Sequence, residues 1–170
     1  MTDRHDLIAA TCAVLLRDLA AVKREVEAYP DDASLWVMRD GLPNSGGTLA
    51  LHLAGNLQHF VGAVLGKSGY VRDREAEFAE RGVSRAEVVR RLAAAEGAVA
   101  KALDGRTPLP EIYPAPAGGM QVRTDEWLLH SVAHLGYHLG QIDYHRRIVT
   151  GNASGIGALA ITELPSAHKP

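Results

Sequence analysis

The spacing of apolar residues constrains the fold most, because they recur every three or four positions in four separate segments. Residues that end or begin helices separate these segments. No stretch alternates apolar and polar residues as a half-buried strand would. The chain of 170 residues is therefore predicted to be all-α, a four-helix bundle in one domain over 1–170, with its core over about 6–150 and a tail over 151–170.

The ends of the helices are predicted from local signals. The first helix covers about 6–29 and ends before Pro30. The second covers about 48–65, with Asn44 or Ser45 as its N-cap. The third follows Ser84 and ends near 104, and the fourth runs from an N-cap at Thr124 to about Thr150. We expect no helix in the proline-rich connection before Thr124, and a short helical turn near 158–164.

Charge and cysteine content exclude some classes of function. The chain has 18 basic and 20 acidic residues, interspersed, for a formal net charge of -2. This balance argues against a nucleic-acid-binding protein or a binder of anionic membranes. No segment approaches the roughly 20 apolar residues of a membrane span. A single cysteine, Cys12, and the absence of an apolar leader after Met1 predict a cytoplasmic protein.

The fourth helix carries a stripe of polar side chains. At about 100° per residue, the stripe spans roughly 80° and borders the apolar face of the helix. Its members are His130, His134, His138, Gln141 and His145. The spacing of His134 and His138 places two imidazoles one turn apart, as in helical halves of zinc sites.

The second helix supplies the best candidate for a third ligand, His52. Bundles commonly build metal sites from side chains on facing helices. His59 and His145 lie seven residues from His52 and His138, roughly 10 Å along the helix axis, so we assign them surface or hydrogen-bonding roles. The alternative for every histidine is a hydrogen-bonded place in the core, and His130 fits that alternative best.

The charged segment 72–78, RDREAEF, is interpreted as a solvated loop or helix start with one apolar anchor, Phe78. Together with two other stretches it resembles the DinB-like (DinB/YfiT-like) proteins. These stretches are LPNSGGTLALHLAGNL at 42–57 and HSVAHLGYHLGQ at 130–141. The resemblance covers most of the chain up to about Thr150, and its strongest part is the two histidine-bearing stretches in this order.

The resemblance implies a four-helix bundle with a long crossover connection, often a homodimer, that holds a divalent ion such as zinc or nickel. The family pattern places the metal ligands at His52, His134 and His138. Gln141, His130 or Asn56 would then donate or accept the hydrogen bonds that orient those ligands. The pattern assigns no catalytic residue.

Characterised members of this family include transferases and isomerases that use low-molecular-weight thiols such as mycothiol, bacillithiol or glutathione. The resemblance thus implies a thiol-dependent S-transferase or related metalloenzyme acting on a small electrophile. The alternative is a non-enzymatic, stress-related protein that binds a small ligand or a partner and uses the metal structurally. A third hypothesis is a metal-free bundle with a buried imidazole network.

Overall fold

The computed structural model describes residues 4–116 and 119–169, and these residues form helices joined by loops. In chain order the elements are α1 (Arg4–Glu27), α2 (Asp32–Leu35), α3 (Gly46–Leu57), a π-helical continuation of α3 (Gln58–Leu65), α4 (Arg74–Ala79), α5 (Arg85–Ala102), α6 (Thr124–Thr150) and a 3₁₀ turn (Ile161–Glu163). Pairing of the β type over these residues is confined to isolated bridges. The prediction of an all-α fold is confirmed.

Side-chain caps explain where the long helices begin. Ser45 caps α3, since its hydroxyl accepts a hydrogen bond from the backbone N–H of Thr48 at 3.2 Å. Ser84 caps α5 in the same way. The N-cap of α6 is Arg123, so the prediction of Thr124 was wrong by one residue. Gly151, with a φ of 66°, ends α6 in the left-handed conformation that glycine adopts without strain.

The second predicted helix differs from the expectation in its second half. Residues 58–65 form a π-helix, in which, for example, the Gly66 N–H donates to the carbonyl of Val61, five residues earlier, at 3.0 Å. Apolar periodicity over eight residues does not distinguish this wider turn from an α-helical one. The π-helix passes close to α5, because a Cβ added at Gly62 would lie 2.8 Å from the Cβ of Ala98. Glycine is therefore required at this contact.

The four long helices pack around one apolar core. α1 packs against α5 and α6, and α3 with its π-helical continuation also packs against α5 and α6. α1 touches α3 only briefly, so the connections over 28–45 and 103–123 join helices that are not main packing partners. Such paths are those of crossover connections. Among the described residues, no helix has the length and apolar character needed to cross a membrane.

Candidate metal centre

Three histidines from two helices converge at the boundary between α3 and α6. The Nε2 atom of His134 lies 3.3 Å from Nε2 of His52 and 3.1 Å from Nε2 of His138. One ligand atom from each residue lies within 4.8 Å of the others. His52 is buried, and the two α6 histidines are half-buried. The structure therefore brings together the three residues singled out by sequence, in a cluster that could hold a metal ion.

The donor set fits a divalent ion. Tetrahedral zinc with Zn–N bonds of about 2.0–2.1 Å places its ligand nitrogens about 3.3 Å apart, which matches the two measured Nε2 separations. Imidazole nitrogen is a ligand for zinc and for nickel alike. Within residues 4–116 and 119–169, no fourth His, Cys, Asp or Glu joins the cluster. The protein thus offers three ligands, which leaves coordination positions for water or another molecule.

His52 is oriented by a buried carboxylate from α4. Its Nδ1 atom lies 3.1 Å from Oε2 of Glu77, and a carboxylate accepts, so Nδ1 carries the proton and donates it. The unprotonated Nε2 atom then faces His134 with its lone pair. Phe78, the predicted apolar anchor, packs its ring 5.0 Å from the His52 ring. Glu77 and Phe78 therefore fix both the tautomer and the plane of this imidazole.

Glu77 is held in turn by Arg72. The guanidinium donates from Nε to Oε1 at 2.6 Å and from Nη2 to Oε2 at 2.7 Å, a bidentate pair. Burial raises the pKa of the Glu77 carboxyl, but the hydrogen bonds from Arg72 and His52 outweigh it, so the pKa lies below its usual value. The carboxylate also packs against the backbone of α3 at Gly55, where a Cβ would collide with Oε1. Glu77 is therefore a buried, ionised group held by Arg72, His52 and the backbone of α3.

Sequence analysis missed Glu77 and Arg72. It interpreted 72–78 as solvated, and this is wrong for Glu77, which is only 6% exposed. The error has a physical cause: five charged residues within six positions are typical of a solvated face. Nothing in helical periodicity shows that the loop after the π-helix returns to α3. The available signal was the resemblance of RDREAEF to the family, which marked the segment as more than a linker.

His138 has a hydrogen-bond partner on its own helix. Its Nδ1 atom lies 2.7 Å from Oε1 of Gln141, one turn further along α6. The amide oxygen accepts from Nδ1–H, which leaves the Nε2 lone pair facing the cluster. Burial lowers the pKa of His138, although its hydrogen bond with Gln141 opposes this effect. Gln141 thus lies where the sequence analysis expected an orienting group.

His134 lies between the other two candidate ligands, and its surroundings keep it neutral. Burial, together with repulsion from His138 and His52, lowers its pKa to about 4. Arg72 is positive, as the neighbouring histidines are when protonated, so a proton on His134 would be strongly disfavoured. At neutral pH this ring is a neutral imidazole, the form that binds metals.

The two other residues expected to orient the ligands occupy different positions. His130 is exposed, and its described contacts are with rings: its centroid lies 5.2 Å from Trp127 and 6.1 Å from His134. Asn56 is half-buried one turn after His52. Within the described ranges, neither side chain forms a hydrogen bond to the three-histidine cluster.

His145 belongs to a second polar cluster, at the other end of the apolar face of α6. Its Nε2 atom donates to the Val37 carbonyl at 2.8 Å, and its Nδ1 atom accepts from the Tyr29 hydroxyl at 2.6 Å. His145 is 2% exposed, so it does not lie at the surface. Of the two roles expected for it, the structure shows the hydrogen-bonding one, with partners outside the three-histidine cluster. His59 is half-buried and packs on Phe60.

A buried ion pair adjoins His145. Arg146, 1% exposed, donates from Nε to Glu25, which is 0% exposed, and from Nη2 to Asp143 at 3.0 Å. The same guanidinium donates to the carbonyl of Ser154 in the tail at 2.9 Å. Burial raises the pKa of Glu25, and the hydrogen bond from Arg146 opposes it. This cluster joins α1, α6 and the tail without exposed atoms on its central pair.

Comparison with known proteins identifies a family. A family model described as the DinB superfamily matches residues 11–142, which include all three clustered histidines. Neither the curated proteins nor the solved structures contain a match to this chain. The family match covers well over half of the sequence and extends from within α1 to within α6. The chain belongs to the DinB superfamily.

Proposed function

We propose that this protein binds a divalent metal ion through His52, His134 and His138 and is a thiol-dependent S-transferase, or a related metalloenzyme, acting on a small electrophile. One observation carries the proposal. Nε2 of His134 lies 3.1–3.3 Å from Nε2 of His138 and of His52, and the described residues supply no fourth His, Cys, Asp or Glu ligand. Three ligands with open positions are typical of catalytic metal sites, whereas structural sites are usually closed by four.

The surrounding residues prepare the ligands for an ion. Glu77 and Gln141 each accept from the Nδ1–H of a ligand, which leaves the Nε2 lone pairs of His52 and His138 directed at the centre. Arg72 keeps Glu77 in place and ionised through two hydrogen bonds. Both lone pairs face Nε2 of His134, and a cation in the centre would bind all three nitrogens when His134 carries its own proton on Nδ1.

A divalent ion bound there would supply positive charge that favours the deprotonated, nucleophilic form of a coordinated thiol. Zinc and nickel are the ions proposed, on the basis of the imidazole ligands. The low-molecular-weight thiol is proposed from the family resemblance. The protein's own part is to bind, orient and keep neutral the three imidazoles, since burial lowers the pKa of His134 and His138.

The alternative function is non-enzymatic, and one observation favours it. The ligands come from α3 and α6, so a bound ion would fasten the two helices together. In that case the ion would support a stress-related protein that binds a small ligand or a partner. The two functions differ in what chelation does: removal of a structural ion unfolds the protein or strongly destabilises it.

The first experiment is elemental analysis of protein purified without chelators, beside the double variant His134→Ala, His138→Ala. We expect about one zinc or nickel per chain in the native protein and none in the variant. The variant His130→Ala is the matched control, because His130 is exposed one turn before His134 and contacts it only ring to ring. No metal in the native protein, even after reconstitution with zinc or nickel, would contradict the proposal.

The activity test follows on the loaded protein. Low-molecular-weight thiols are mixed with monochlorobimane, an electrophile that becomes fluorescent when a thiol adds to it. The S-transferase proposal predicts turnover that is lost on chelation, while circular dichroism shows that the helices remain. Turnover unaffected by chelation would exclude a metal-dependent mechanism. Loss of the helices on chelation, without turnover before it, would favour the structural alternative.

A cytoplasmic homodimer is also proposed. The single cysteine supports a reducing compartment, and the family resemblance supports dimerisation. Large apolar side chains exposed along α6 give dimerisation a surface: Leu129, Tyr137, Tyr144 and Ile148 are each more than half exposed. Light scattering checks this proposal, and a monomeric mass at micromolar concentration would contradict it.

A further inference from the structure

A cavity lies directly beside the three-histidine cluster, between the N-terminal end of α3 and the C-terminal half of α6. It has a volume of about 130 Å³ and a mainly apolar lining. Its lining residues are Leu42, Pro43, Asn44, Leu49, Gln141, Tyr144 and His145. Leu49 precedes His52 by three residues, and Gln141 follows His138 by three, so the cavity is one turn, about 4.5 Å, from the ligands along each helix.

None of the lining residues of this cavity carries a formal charge at neutral pH. His145 has both ring nitrogens engaged by Tyr29 and Val37 and therefore presents only carbon atoms to a ligand. Burial also lowers its pKa, which keeps the ring neutral. A charged ligand would lose its hydration here without gaining a counter-charge. The lining thus selects an uncharged molecule.

Two carboxamides supply the polar contacts that a ligand can use. Gln141 uses Oε1 to accept from His138, so its Nε2–H₂ group is the part left to donate. Asn44 is half-buried, and its amide makes no side-chain hydrogen bond within the described ranges. A few polar groups converging on an apolar cavity are the usual composition of a small-molecule site. Because the protein offers amide N–H donors, a matching ligand carries a hydrogen-bond acceptor.

We infer that this cavity binds the uncharged organic co-substrate of the site: a compact apolar group bearing a carbonyl or similar acceptor, held by Gln141 and Asn44. The assignment of this cavity as a co-substrate site rests on the proposed function. Its size suits such a group, since an engineered protein cavity of about 150 Å³ holds benzene. Gln141 contacts His138 with one end of its amide and the ligand with the other, so it places the acceptor next to the metal ligands.

The experiment uses three fluorinated probes of one shape: 4-fluorobenzamide, 4-fluorobenzoate and 4-fluorotoluene. Their binding to the full chain, metal-free and zinc-loaded, is measured by ¹⁹F NMR titration. In the metal-free protein we expect the amide to bind about tenfold more tightly than the toluene, which lacks an acceptor, and than the benzoate, which carries a charge. Metal-free protein is used first because a carboxylate probe can also bind an ion.

Two variants test the residues. Gln141→Glu keeps an oxygen for His138 but replaces the donor with a negative charge, so it should abolish the preference for the amide and favour 4-fluorobenzylamine instead. Asn44→Leu should weaken the amide about threefold and leave the toluene unchanged. The matched control is Gln58→Glu, since Gln58 is a half-buried amide on the π-helix that lines a different cavity.

The outcomes separate this inference from the proposed function. If the amide binds most tightly and Gln141→Glu abolishes that preference, the inference about the cavity is supported even if the histidines bind no metal. Equal binding of all three probes, or an amide preference that survives Gln141→Glu, overturns the inference. That result leaves the metal proposal standing, because the proposal is tested by elemental analysis of the native chain.

Discussion

Helix α6 takes part in two polar clusters that differ in how their nitrogens are satisfied. In the three-histidine cluster, Nε2 of His134 lies 3.1–3.3 Å from Nε2 of His138 and of His52. In the second cluster, His145 has a protein partner outside that cluster for each ring nitrogen. His134, His138 and His145 lie on one stripe of α6. What distinguishes a candidate metal ligand from a structural histidine on this helix is therefore its partners.

The carboxylates of the two clusters show the same contrast. Glu77 and Glu25 are both buried and both paired with an arginine. Glu77 uses its second contact to orient a candidate ligand, whereas Glu25 helps to join α1 to α6. One cluster could hold an ion, and the other holds helices together. Substitutions should therefore separate stability from metal affinity.

The largest effect should come from breaking the buried ion pair of Arg146 and Glu25. Arg146→Ala leaves Glu25 buried without its counter-charge, which should lower the free energy of unfolding by about 3–5 kcal/mol. His134→Ala in the metal-free protein should cost only about 1 kcal/mol, because it removes one neutral, half-buried ring and leaves no buried charge without a partner. Urea unfolding of both metal-free variants checks this. Equal losses of unfolding free energy would show that both clusters stabilise the fold to the same extent.

The next effect concerns metal affinity. Glu77→Gln removes the charge that orients His52 and should weaken zinc binding about 10–100-fold. Glu25→Gln is the matched control, since it alters a carboxylate that is also buried and paired with an arginine but lies in the second cluster. It should leave zinc affinity unchanged. Competition with a chromophoric chelator measures both. Equal zinc affinities of the two variants would contradict the different roles given to Glu77 and Glu25.

Acidification should weaken both clusters in the metal-free protein. Burial lowers the pKa of His134 to about 4 and also lowers the pKa of His145. The unfolded chain therefore binds protons first, and stability present above the ordinary histidine pKa of 6.5 is lost progressively as pH falls below it.

Zinc sharpens this pH comparison, because it competes with protons for the nitrogens of the three-histidine cluster and should therefore steepen the loss of stability on acidification. Unfolding is measured between pH 7.5 and 5, with and without zinc. His145→Gln should reduce the pH dependence of the metal-free protein without changing the part that zinc adds. A pH-independent stability of the metal-free protein would contradict the burial of these rings as neutral groups.

The smallest effect tests packing behind Glu77. A Cβ at Gly55 would collide with the carboxylate, so Gly55→Ala should weaken zinc binding about threefold by displacing Glu77. Gly97 on α5 has open space around it, so Gly97→Ala should leave zinc affinity alone and stabilise the helix by about 0.5–1 kcal/mol. The same chelator competition and urea unfolding apply. Unchanged affinity in Gly55→Ala would show that Glu77 has room to move.

The positions of these histidines could be predicted from sequence, because they depend on spacing within helices. The interval of four between His134 and His138, and the edge position of His52, depend only on the α-helical repeat. The partners of these residues depend on how loops return to the core. Glu77 reaches His52 across 25 positions, and Tyr29 reaches His145 across 116, and neither distance has a periodic signal.

The number of residues in the π-helix matters independently of which residues occupy it. Residues 58–65 lie between His52 and the Arg72–Glu77 pair, and Arg72 also stacks over the ring of Phe60 within this segment. The wider turns set the point at which the chain leaves this helix, so deleting one residue there would start the loop to α4 from a different place. Glu77 would then be displaced from His52, although every functional side chain remained. Insertions and deletions in this segment should therefore be tolerated less well than substitutions, even though no residue within it contacts the three histidines.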